Sequence, residues 1–217
     1  FSADSVGANM IIMDVFFSGN YVVHTYESGS GFYADGIKVY NYTTGALVST
    51  FTDGNTVHLG GVDDGYAYVT LANKVVKVSI TDGSSTDFIS ANNMQNGSEG
   101  RGMVVSSDYV VTSGGANKSV FVYDTASGAL LKTITNPGGS GTTKFFGGDQ
   151  SSGYRNGGMA LKGNTLAITW NPDIASGHGV YIFDIPSLST THSANNYNQL
   201  VLAPTQNTHV SLKVAIT

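Results

Sequence analysis

The chain has 217 residues, of which 41% are hydrophobic and 12% charged, and its formal net charge is −5. Charged side chains at half their usual share of about 25% leave Ser, Thr, Asn, Gly and Tyr to cover the surface, and ten Lys and Arg with no basic run lack the electrostatic footprint of nucleic-acid binding. With no cysteine, disulfides, thiol catalysis and zinc–thiolate sites are excluded.

The longest apolar stretch, Met10 to Phe17, is interrupted by Asp14. It falls short of the roughly 20 residues a spanning helix needs and lacks the basic lead-in of a signal peptide, so no membrane insertion is expected. Its end, Val15-Phe16-Phe17, opens a hairpin through Ser18-Gly19-Asn20 into Tyr21–Thr25. After a longer connection, Ile37-Lys-Val-Tyr-Asn-Tyr-Thr-Thr-Gly45 reads as a third strand and its turn, and Ala46–Thr52 as a fourth strand.

The same four-strand order then recurs. In the second unit Gly60-Gly61-Val62 leads through Asp63-Asp64-Gly65 to Tyr66–Thr70, followed by Val75–Gly83 and Ser85–Ser90. The third runs Met103-Val104-Val105, Ser106-Ser107-Asp108, Tyr109–Ser113, Val120–Gly128 and Ala129–Thr135. The fourth runs Met159-Ala160-Leu161, Lys162-Gly163-Asn164, Thr165–Thr169, Val180–Leu188 and Gln199–Ala203. Gly, Asn and Asp at these corners are what tight hairpin turns require. The third-strand turns at Gly45, Gly83, Gly128 and Leu188 are spaced 38, 45 and 60 residues apart, near the spacing of propeller blades, with an insertion in the last interval. Thr25, Thr70, Ser113 and Thr169 form one column at the end of the second strand. The strands are apolar almost throughout, as in sheets covered on both faces.

The expected fold is therefore all-β: one β-propeller domain over 1–217 of about four blades, each a four-stranded antiparallel meander. The blades span about 10–52, 56–90, 101–135 and 157–203. Residues 208–217 form a closing strand or the start of a fifth unit.

Two stretches, Val122-Tyr-Asp-Thr-Ala-Ser-Gly-Ala-Leu-Leu-Lys-Thr-Ile-Thr-Asn-Pro137 and Val39-Tyr-Asn-Tyr-Thr-Thr-Gly-Ala-Leu-Val-Ser-Thr-Phe51, carry a family resemblance. With them the chain resembles the FG-GAP-like propeller repeats of bacterial surface proteins and of structural proteins of marine tailed phages. Phe146-Gly147 is similar to the dipeptide that names the repeat, although Gly148 to Gly157 separates it from the next inner strand. The resemblance implies a non-catalytic protein exposed on a virion or cell surface. The Asp-x-Asp-x-Asp-Gly loop of its calcium-binding members has no counterpart, so no calcium is carried over.

No motif carries chemistry. Gly138–Lys144 departs from a phosphate loop because Lys144 follows no Gly and Phe145 comes next. Asp124 and Asp184 share a repeat slot with Asn41 and Ser79 at the end of the third strand, where such residues hydrogen-bond the turn backbone. The five histidines have no metal-ligand spacing; His24 reads as a half-buried strand residue. Asp14 and His58 are the main polar residues on the inner strands. No enzyme activity, cofactor or metal is expected.

Loop length gives the best functional signal. The first–second turns are all tight, the third–fourth turns are tight in at least three units, and both lie at one end of each meander. The opposite end carries the long connections 27–36, 91–100, 136–156 and 171–179, and long loops on a rigid scaffold are where binding residues gather. That face would present Tyr33, Phe145, Phe146, Tyr154, Arg155, Trp170 and His178, with His178 in a loop. Aromatics with an Arg suit a protein anchor or a glycan platform; they also suit plain packing of loops on blades. The expected partners are other structural subunits or, alternatively, surface glycans.

Overall fold

The computed structural model describes residues 14–26, 34–71, 74–89, 103–113, 119–135, 143–145, 158–172, 178–193 and 198–202. Its described regular structure is all-β apart from one turn of 3-10 helix at Ile185–Ser187. Four antiparallel meanders are arranged as a four-blade β-propeller.

The first blade comprises β1 (Val15–Ser18), β2 (Tyr21–Tyr26), β3 (Ala34–Asn41) and the start of β4 (Leu47–Asp63). β4 is one 17-residue strand shared by two blades. Its first part pairs with β3, and its last part, from His58 opposite Thr70 to Asp63 opposite Tyr66, is the inner strand of the second blade. Asp53-Gly54-Asn55 reads as a break between blades, yet the chain stays extended, with Val57 opposite Ala34 across a bulge. The second blade continues with β5 (Tyr66–Leu71), β6 (Lys74–Ser79) and β7 (Ser85–Ile89). The third comprises β8 (Met103–Val105), β9 (Tyr109–Ser113), β10 (Val120–Asp124) and β11 (Leu130–Thr135).

The fourth blade departs most from the repeat. Its strands are β13 (Met159–Lys162), β14 (Thr165–Pro172), β15 (His178–Asp184) and β17 (Asn198–Leu202). Inside the connection expected over 136–156, β12 (Thr143–Phe145) also pairs with β14, running in line with β13. The insertion thus divides the inner edge of this blade into two pieces. A further short strand, β16 (Thr191–Ser193), pairs in parallel with β11 of the third blade, so the connection between β15 and β17 is stitched to its neighbour. The proposed closing strand, 208–217, lies outside the described residues.

Both faces of each meander are apolar for a physical reason. Three buried clusters fill the three junctions between consecutive blades: Val23, Ile37 and Val39 against Ala67, Val69 and Val78; Tyr68 and Val75 against Met103, Val110 and Tyr123; Val111, Val120 and Val122 against Leu166, Ile168 and Phe183. Each such side chain removed from water contributes about 1.5–3 kcal/mol. Alternate residues along one strand serve different junctions, since successive side chains point to opposite faces.

The turns repeat as closely as the strands. Gly45, Gly83 and Gly128 all lie at positive φ (73°, 74° and 71°) and close the third–fourth turn through N–H bonds to the carbonyls of Asn41, Ser79 and Asp124. In every blade the residue after that slot (Tyr42, Ile80, Thr125 and Ile185) donates its N–H back to the first–second turn, at Asn20, Gly65, Asp108 and Asn164. One end of each blade is thereby tied shut.

Candidate functional site: the long-connection end

The shared slot at the end of the third strand is structural where its side chain can be followed. Asn41 Oδ1 accepts the N–H groups of Thr43 and Thr44 at 3.0 Å. Asp124 Oδ1 accepts from the Ser127 N–H at 2.7 Å and the Ser127 hydroxyl at 2.5 Å. These bonds hold the Asp124 carboxyl below the usual carboxylate range, the Ser127 hydroxyl contributing most, and Asp82 is lowered in the same way by Ser84. Asp184 differs: it makes no side-chain cap bond, and Pro186 leads the chain into the 3-10 turn. Asp124 and Asp184 thus sit at two separate turns, each at the end of its own third strand.

The inner strands offer no acid–base constellation among the described residues. The Asp14 backbone exchanges bonds with Thr25, whose Oγ1 accepts the Asp14 N–H at 3.0 Å. His58 is buried in β4. Across the described residues no three His, Asp or Glu side chains converge to hold a metal. His24 is half-buried, stacked on Tyr40 with ring centroids 5.6 Å apart. The hydroxyl column has a structural use: Thr25 fixes the start of its own inner strand, and Thr70 Oγ1 donates to Met103 Sδ of the next blade at 3.8 Å. Burial, followed by the charges of Asp63 and Asp64, pushes the Tyr68 hydroxyl up to about 12.

Of the seven residues expected on the long-connection end, Tyr33, Phe146, Tyr154 and Arg155 lie outside the described residues. The backbone brings the other three together at the end of blade four opposite its tight turns. Phe145 stands opposite Trp170, Trp170 opposite Gly179, and His178 opposite Leu202. Two details correct the sequence reading. His178 is the first residue of β15 instead of a loop residue, because Leu202 of β17 pairs with it, and Phe145 ends β12, because β14 runs on to Pro172 and pairs with that strand. The matching positions in blades one and two, Tyr26 and Leu71, are buried. Tyr26 also hydrogen-bonds Thr52 Oγ1 at 2.5 Å beneath the Lys38 ammonium. In those blades the slot packs the sheet.

Sequence reasoning missed the polar bridges between blades. Ser49 Oγ donates to the Ile80 carbonyl at 2.7 Å, Lys77 Nζ to that of Thr125 at 3.0 Å, and Lys132 Nζ to that of Leu188. Each time a side chain of one blade holds the third–fourth turn of the next. A lysine in the middle of an apolar run, as in Val75-Val-Lys-Val, is the signal that could have revealed one of them.

No family model matches the chain, and no curated protein matches it in sequence. Solved structures do match in fold. BamB from Moraxella catarrhalis is 16% identical with a TM-score of 0.50, over 80% of this chain and 52% of that one. Hydrazine synthase of Kuenenia stuttgartiensis is 14% identical with a TM-score of 0.53, over 85% and 46%. Hsv2 of Kluyveromyces lactis is 13% identical with a TM-score of 0.54, over 82% and 49%. One of these names is an enzyme's, so the shared architecture does not select a reaction. The chain matches about half the length of each of these β-propeller structures.

Proposed function

We propose that this chain is a non-catalytic structural or adhesive propeller, exposed on a virion or cell surface, that contacts neighbouring subunits through its long-connection end. The observation that carries this reading is the asymmetry between the two ends of the blades. Repeated backbone bonds close one end in all four blades, while the other gathers the long connections and sets Phe145, Trp170 and His178 at one corner of blade four. A surface with few charges and many Ser, Thr and Asn side chains, and the likeness of two stretches to FG-GAP-like repeats, support the same reading. A rigid scaffold displaying irregular loops is a general solution for recognition.

A glycan platform is the second reading, favoured by the register of Phe145 against Trp170, since aromatic surfaces stack on sugar rings. Cross-linking of the native assembly combined with a glycan array tests both. Cross-links concentrated at 136–158 and 171–179, with no sugar bound, are expected for the structural reading. Sugar binding abolished by Trp170→Ala would establish the alternative. Cross-links confined to the tight-turn end would overturn both.

A further inference from the structure

We draw no further inference here: the strongest candidate, the exposed apolar patch that Phe17, Tyr42 and Leu47 form at the tight-turn end of blade one, is part of a sheet face, and nothing among the described residues shows what covers it.

Discussion

Gly45 and Gly83 hold the same place in the repeat and nearly the same left-handed conformation, φ 73° and 74°, but their surroundings are opposite. Gly83 lies against the Thr50 carbonyl of the preceding blade, whereas the space beside Gly45 is open. The repeat therefore dictates backbone conformation in both blades, and a neighbour adds a second requirement only in the later one. Alanine substitution separates the two. Gly45→Ala carries only the left-handed penalty of about 1–2 kcal/mol. Gly83→Ala adds a clash with immobile backbone and is expected to cost about 2–4 kcal/mol in all. Urea unfolding of the two variants measures the difference, and equal losses would show that the blade-one turn is covered as well.

The parts of this architecture legible in the sequence are those fixed by local chemistry. Hairpin corners at Asp63-Asp64-Gly65 and Lys162-Gly163-Asn164 and the apolar runs beside them mark strands β4, β5, β13 and β14. What eluded sequence reading depends on partners distant in the chain. Asp53-Gly54-Asn55 looks like a break and is instead the middle of a shared strand, because Ala34 supplies a partner beyond it. Thr143–Phe145 is too short and polar to announce a strand, and it forms one only because β14 overruns its blade. His178 was misplaced because its partner, Leu202, belongs to a strand distant in the chain. Of the candidate site, the shared end of the blade was legible from loop lengths. The pairing of Phe145 with Trp170 was not, since register between a three-residue strand and a distant one has no local signal.

Lys77 extends the comparison from turns to side chains. Its ammonium bonds the Thr125 carbonyl across the junction of blades two and three and lies 4.4 Å from the Phe88 ring centroid and 5.1 Å from that of Tyr68. Lys38 of the first blade touches one ring, Tyr26, within its own blade. Methionine keeps the apolar stem of either residue and removes the charge. Lys77→Met leaves a carbonyl unpaired at a junction and should cost about 2 kcal/mol. Lys38→Met should cost about 0.5–1 kcal/mol. Thermal unfolding of both variants ranks them, and the reverse order would mean that the Lys77 bridge does not hold the two blades together.

The smallest expected effect separates the same turn in blades one and three. Asn41 and Asp124 cap it with the same oxygen, but only Asp124 can titrate. Its carboxyl is depressed in the folded state by Ser127, so the stabilisation it gives is present above the unfolded-state value, near 3.9, and is lost as pH falls through the lower folded one. Asp124→Asn keeps the acceptor oxygen, as Asn41 demonstrates, and removes that dependence. Below about pH 4 the melting temperature of Asp124→Asn should therefore fall less steeply than that of the parent chain. At neutral pH the two should nearly coincide. Because Asp82 is depressed in the same manner by Ser84 in blade two, adding Asp82→Asn should flatten the acid limb further. An acid limb unchanged in the double variant would place the acid sensitivity of the fold outside these turns, and the caps of blades two and three would then be no different in kind from the uncharged cap of blade one.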